Sequence, residues 1–380
     1  MTEAVVVDAV RTPIGKRNGE LSSVHPVDLS ARVLTALAER NGLEPALVED
    51  VLWGCVGQVG DQAMNVGRYA VLAAGWPEAV PATTIDRQCG SSQQATAFAH
   101  AGVVAGHYDI VVAGGVESMS RVPMFSSLAG GHPESPLVKE RYGDRLVPQG
   151  VGAEMIAERW GITRERLDSI AVRSHERAAA AADGGAYKNE IVPVSTADGD
   201  VTADQGIRRD TTLATLAGLK TPFKEDGVVT AGNASQISDG ASAVLIMSDT
   251  KAAELGLTPI ARFVSSVVVG ADPVTMLTGP IPATAKVLDK AGLAAANIGA
   301  FEINEAFASV IGAWEDELRP DESRVNVNGG AIALGHPRGC SGARLMGTLV
   351  HHMREHDVRY GLQAICEGGG MANATVLELL

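Results

Sequence analysis

TIDRQCGSSQQATAFAHAGVVAGHYDIVVAGGVE, residues 84–117, can be laid over RVNVNGGAIALGHPRGCSGARLMGTLVHHMREHDVRYGLQAICEGGG, residues 324–370. Each reads as a strand, a tight glycine-rich turn, a buried helix and a second strand that ends in a glycine cluster. The second copy carries extra residues, LGHPRGC among them, between turn and helix. An internal duplication explains both. Working outward, AVVVDAV, a helix near PVDLSARVLTALAERNG and DVLWGCVGQV precede the first copy. After Ile260 the order begins again with ARFVSSVVVG, a helix at PATAKVLDKAG and the strand-like AFEINEA. Strands alternating with helices are the signature of a layered α/β fold.

The reading gives two like halves, residues 1–117 and 249–380, separated by residues 118–248. There the periodicity breaks into SRVPMFSSLAGGHPESPLVKERYGDRLVPQG before helices return at AEMIAERWG and RLDSIAVRSHERAAAAAD. A long irregular stretch of this kind serves a ligand or a partner subunit, so it is taken as an inserted lobe.

At 380 residues the chain exceeds one ordinary core, and two or three packed units are expected. Hydrophobic content of 46% with 20% charged residues describes a globular protein, and 4% aromatic residues leave the interior to alanine, valine and leucine. The net charge of −14 repels nucleic acid and anionic membrane, so a polyanionic ligand needs a local basic patch. MTEAVVVDAVRTPIGK has no long apolar run, and neither does the rest of the chain; the expectation is a cytoplasmic protein with no membrane segment. The four cysteines, Cys55, Cys89, Cys340 and Cys366, form no CxxC pair. Free thiols are expected, with no structural zinc or other metal site.

Chemistry is read from four places. Cys89 stands at a strand-to-helix junction, before GSSQQ, where free N–H groups and the helix dipole favour thiolate. The expectation is a pKa below the ordinary value of about 8.5; a buried structural cysteine is the ordinary alternative. Cys366, in ICEGGGMANA, is read at the corresponding strand end of the second copy, where three glycines allow close approach to a ligand or merely form a tight turn. His336, in ALGHPRG, is held between Gly335 and Pro337, as a base beside a thiol would be. Asn304 and Glu305, in EINEAFAS, either cap the next helix, the ordinary reading, or orient a water or substrate oxygen. The histidines of HHMREH lack HExxH order and read as a solvated helix face. No GxGxxG opens a helix after a strand, which discounts a dinucleotide site.

DRQCGSS, NEAFA, NVNGGAIALGHPRG and CEGGG, in this order and spacing, resemble the thiolase family, acetyl-CoA C-acyltransferases. The likeness extends over the chain, through VDAVRTPIGK, VVAGGVESMS, AGNASQISDGASA and TGPIPA, and is greatest to actinobacterial degradative thiolases. It implies an α/β fold of duplicated βαβαβαββ halves in a five-layered α-β-α-β-α core, with a loop domain that covers coenzyme A. It also implies a homotetramer, a dimer of dimers, with contacts after Arg121.

Carried over by position, the resemblance makes Cys89 the acyl-accepting nucleophile, His336 the acceptor of its proton and Cys366 the second acid/base. Asn304, acting through a water, forms one oxyanion hole with His336; the amides of Cys89 and Gly368 form the other. Coenzyme A is a substrate, with no permanently bound cofactor. Arg208, Thr215, Phe223, Ala231, Ser235, Ala306 and Phe307 are the implied contacts to it. The residues alone offer Arg208, Arg209, Lys220 and Lys224, in IRRDTTLATLAGLKTPFK, as the basic patch or as an ordinary charged surface.

The implied reaction is ping-pong cleavage of a 3-ketoacyl-CoA by CoA into acetyl-CoA and an acyl-CoA two carbons shorter. Where many acetoacetyl-CoA thiolases have His-Met-Gly, this chain reads Pro148-Gln149-Gly150, which points to acyl groups larger than acetoacetyl. The competing readings are a biosynthetic acetoacetyl-CoA thiolase, a ketosynthase-type enzyme, which has no use for Cys366, and a non-catalytic lipid-binding relative.

Overall fold

The computed structural model describes residues 2–380. Its strands are β1 (Ala4–Arg11), β2 (Gly15–Lys16), β3 (Asp50–Gly54), β4 (Ala82–Ile85), β5 (Ile110–Ser118), β6 (Val194–Thr196), β7 (Gly199–Val201), β8 (Ser238–Ser248), β9 (Ala261–Gly270), β10 (Ala300–Ile303), β11 (Tyr360–Glu367) and β12 (Met371–Leu379). Apart from the β6–β7 hairpin they form one ten-stranded sheet, ordered β10-β11-β12-β9-β1-β8-β5-β3-β4, with β2 beside β8.

The sheet is two half-sheets of matching order, β4-β3-β5-β8-β1 and β10-β11-β12-β9. They join at a corner where β1 and β9 share two residue pairs, Val5 with Arg262 and Val6 with Ala261. In each half the parallel pairs lie at the outside, β3 with β4 and β5, and β10 with β11. An isolated bridge from Phe301 to Val325 stands where β4 stands in the first half. β1, β5 and β8 are buried along their whole length, as expected of strands covered on both faces.

Two helices, Ser91–Val104 and Arg338–His356, lie between the half-sheets and against each other. Helices Pro26–Asn41 and Val66–Ala73 cover the outer face of the first half, and Pro280–Ala291 that of the second. The first turns of helix 91–104 are buried on all sides, so Ser91, Ser92, Gln93, Gln94 and Thr96 are interior residues. The close approach of the two middle helices requires glycine: a Cβ on Gly342 would lie 2.3 Å from the Gln93 nitrogen. β8 (Ser238–Ser248), which closes the 118–248 segment of the sequence reading, pairs with β1 and β5 inside the first half-sheet.

Buried carboxylates fasten the halves. Glu117, at the end of β5, accepts hydrogen bonds from the amides of Val56 (3.0 Å), Gly57 (2.9 Å) and Gly339 (2.9 Å) and from Gln62 Nε2 (2.9 Å). It thereby fixes the start of helix 338–356 against the first half. Arg11 is gripped on both sides, by Glu190 and by the two oxygens of Asp204. Four accepted bonds and a paired guanidinium keep these buried charges affordable.

Candidate active site

The turn after β4 decides where Cys89 goes. Asp86 accepts from the Gln88 amide (2.7 Å), and the Ser91 hydroxyl accepts from the Arg87 amide (2.9 Å). Gln88 is forced to φ +47, a left-handed conformation uncommon for a side-chain-bearing residue. Cys89 follows at the mouth of helix 91–104, 3% exposed and packed against Leu345 and Ile365. Burial pushes its thiol up to about 11, the carboxyl groups of Glu367 and Glu117 push the same way, and the Arg338 guanidinium opposes them. The expected downward shift is therefore overturned: desolvation outweighs the helix terminus.

His336 heads the other middle helix. Its amide donates to the Gln236 carbonyl (3.1 Å), and its Nδ1 lies 2.6 Å from the Ser341 hydroxyl. That hydroxyl is also 2.9 Å from the Pro337 carbonyl, which can only accept, so Ser341 donates there and accepts from Nδ1–H. Nε2 is left as the free lone pair, 3.5 Å from Asn304 Nδ2. Burial, with Arg338 and Arg344 adding repulsion, pushes the imidazole down to about 3. The resting pair is thus a neutral thiol and a neutral base.

Cys366 is fully buried on β11, near enough to Cys89 and to the Asn304 side chain for both to shift its thiol. Burial first, then Cys89 and Glu367, raise it well above the ordinary thiol value. Its strand position differs from the sequence reading. β11 is the repeat partner of β5, so Cys366 corresponds to Val116 and Glu367 to Glu117 when the strands are aligned from their first residues. Cys89 follows β4, and its counterpart region is the loop holding His336. The two thiols come from unlike positions and meet because the halves fold over the middle helices.

Asn304 and Glu305 do not cap helix Ala308–Leu318, whose N-cap is Phe307 without a side-chain bond. Asn304 faces His336 and Cys366, and its Oδ1 is buried without a protein partner. Glu305 is structural, accepting from Ser174, Asn326 and the Ile332 amide. The Gly368 turn brings two amides together: a Cβ on Gly368 would lie 3.1 Å from Gln88 Oε1 and 3.2 Å from Gln149 Nε2. Among the described residues neither the Cys89 nor the Gly368 N–H has an acceptor.

Cys89 and His336 open into a cavity of about 830 Å³, which Gln149, Arg208, Phe223, Ala231, Ser235, Ala306 and Phe307 also line. Six of the seven residues named for coenzyme A share this wall. Thr215 does not: it is exposed, and with Thr212 it forms the capping box of helix Leu213–Ala217. Of the basic patch, Arg208 reaches the cavity, whereas Arg209 pairs with Asp183 and Lys224 with Glu158. His351 is buried and bonds the Ala9 carbonyl, so the HHMREH face is only partly solvated. Among the described residues no cluster could hold a metal ion, and no helix is long and apolar enough to cross a membrane.

Sequence reasoning missed Ser341, Arg338, Glu117 and Glu367. Ser341 stands five residues past His336 in HPRGCS, a spacing that places it one turn into the helix; the others have no local signal. Cys89 and His336 line the cavity, and Cys366 and Asn304 lie buried behind them; two thiols, a neutral imidazole and free amides so grouped can carry out nucleophilic acyl transfer.

Known proteins match this arrangement. Residues 4–250 match the family model described as thiolase, N-terminal domain, and residues 257–379 that described as thiolase, C-terminal domain. The chain is 49% identical to the steroid 3-ketoacyl-CoA thiolase FadA6 of Mycobacterium tuberculosis, over all of this chain and 95% of that protein. It is 44% identical to the 3-ketoacyl-CoA thiolase FadA of Escherichia coli over the full length of both. The crystal structure of the Bacillus anthracis acetyl-CoA acetyltransferase superposes with a TM-score of 0.92 at 41% identity, covering 100% of this chain and 99% of that one.

Proposed function

The chain belongs to the thiolase family and is an acyltransferase, and from that premise we propose how its residues share the work and on which substrates. Cys89 is the nucleophile. As it attacks the ketone of a 3-ketoacyl-CoA, its proton passes to the Nε2 lone pair of His336. Ion pair and oxyanion therefore form together, and no thiolate is stored at rest. The free amides of Cys89 and Gly368 are suited to the oxyanion at one stage, and Asn304 with His336 at the other.

Carbon–carbon cleavage releases the enolate of acetyl-CoA, which needs a proton at carbon. Cys366, held protonated by burial, is an apt donor. Its thiolate then takes the proton of incoming CoA, whose sulfur attacks the acyl-Cys89 thioester; the Cys89 sulfur leaves and recovers its proton from His336. The reading rests on one observation above all, the convergence of Cys89, Cys366 and the His336–Asn304 pair beside a single cavity.

Arg208, Phe223, Ala231, Ser235, Ala306 and Phe307, which share the cavity wall, hold CoA. We assign the degradative direction and acyl groups larger than acetoacetyl, since relatives named 3-ketoacyl-CoA thiolase match at 44–49% identity and Gln149, beside Gly368, lines the cavity where many acetoacetyl-CoA thiolases have the methionine of His-Met-Gly. The exposed edge of β4, with Tyr69, Leu72 and Phe98 exposed, supports assembly through this edge into a homotetramer.

The test is thiolysis across acyl chains of increasing bulk, with mass spectrometry of the enzyme. An acyl adduct on Cys89 and rising kcat/KM are expected. A preference of about tenfold for acetoacetyl-CoA, equal to about 1.4 kcal/mol, would reject the substrate assignment, and absence of the adduct would reject the nucleophile.

A further inference from the structure

We propose that Arg338 receives an anionic group carried by the acyl chain, so that this enzyme acts on 3-ketoacyl-CoAs whose acyl part bears a carboxylate. The inference rests on the thiolase reading and names the substrate class for that same site.

The first observation is the state of the guanidinium. Arg338 lines the cavity with Cys89 and His336, and its Nε is buried without a partner. Among the described residues it makes no ion pair and donates no hydrogen bond. Arg11, by contrast, is held by Glu190 and Asp204, and Arg344 lies 3.8 Å from Glu302. Asp86 feels its charge without pairing with it, and a partly desolvated cation that no anion contacts is costly, while a planar fork of donors is shaped for a carboxylate.

The second observation is charge in the cavity as a whole. Lys16, Arg17, Arg208 and Arg338 line it and no aspartate or glutamate does, in a protein of net charge −14. CoA phosphates account for cations at the outer end, where Arg208 stands. They do not account for Arg338, two residues from His336: when the thioester lies at Cys89, the whole pantetheine arm separates it from the phosphates. The Met119 and Met124 side chains that also line the cavity supply apolar wall for the carbons between.

The experiment compares 3-ketoacyl-CoAs of six to ten carbons ending in a carboxylate with uncharged chains of equal length, in the wild-type enzyme and in Arg338→Met and Arg338→Lys. In the wild type, kcat/KM favours the carboxylated member by about tenfold or more at some length, and saturated ω-carboxyacyl-CoAs outcompete uncharged acyl-CoAs as inhibitors by a similar factor. Arg338→Met inverts that ratio, and Arg338→Lys restores part of it.

Equal wild-type rates on both series, or a preference for the uncharged one, overturn the assignment while leaving the thiolase reading intact. A ratio unmoved by Arg338→Met also overturns it: a fall on both series together makes Arg338 an electrostatic aid to Cys89, and a raised KM for CoA alone makes it a phosphate ligand. Absence of CoA-dependent cleavage in both series sinks the thiolase reading itself.

Discussion

β5 and β11 are repeat partners, yet the glutamates at their matching eighth positions have opposite fates. Glu117 lies among four donors drawn from three chain segments, and none of its capacity goes begging. Glu367 is buried against Gly90, with Oε1 2.0 Å from where a Cβ would stand, and neither of its oxygens has a partner. Duplication supplied the same residue twice. One copy became a fastener between the halves; the other stands beside both thiols, where burial holds its carboxyl up to about 8 and so keeps it uncharged at neutral pH.

The two middle helices diverge in the same way: one begins at a thiol and the other just after an imidazole, at a single architectural position.

This asymmetry can be broken most severely at Cys89. Cys89→Ala should lower thiolysis by about a thousandfold or more, as loss of a covalent nucleophile does, while near-UV circular dichroism stays native. Glu117→Ala should cost about 3 kcal/mol in urea unfolding, because four buried donors lose their acceptor; Glu367→Ala at neutral pH should cost clearly less, and equal costs would erase the distinction. Ser341→Ala frees the imidazole to turn and to change tautomer. kcat should fall by about tenfold, with KM for the acyl-CoA nearly constant, the pattern of a supporting hydrogen bond.

The subtlest test is Glu367→Gln. A carboxyl held above its unfolded pKa stabilises the fold fully below about pH 4.5, and that contribution is lost as pH rises through about 8. Relative to wild type, the variant's Tm should therefore rise between pH 5 and pH 9. A difference between the two proteins that does not change with pH would show that Glu367 does not titrate in this range.

The layered α/β plan and the four positions proposed for catalysis, Cys89, Asn304, His336 and Cys366, carry local signals. A glycine-flanked histidine or a cysteine between strand and helix advertises itself within ten residues. The sign of the Cys89 shift was not legible, because the helix terminus is visible in GSSQQ whereas the Leu345 and Ile365 that desolvate the sulfur lie more than 250 residues away. Thr215 lies outside the cavity wall that the other six share, and its hydroxyl caps its own helix. Glu305 and Asn304 form one dipeptide with two destinies, and only the packed loop at 326–332 separates them.

β12 is the last strand in chain order but sits inside its half-sheet, between β11 and β9. While the polypeptide is being made, both of those neighbours present bare edges, and the hairpin that carries Cys366 has nothing to close against. Residues 371–379 thus act as a keystone: Cys89 is synthesised early and waits without Cys366 in place until that strand inserts, and a chain cut short of it should go to aggregation or proteolysis and not to a weaker catalyst.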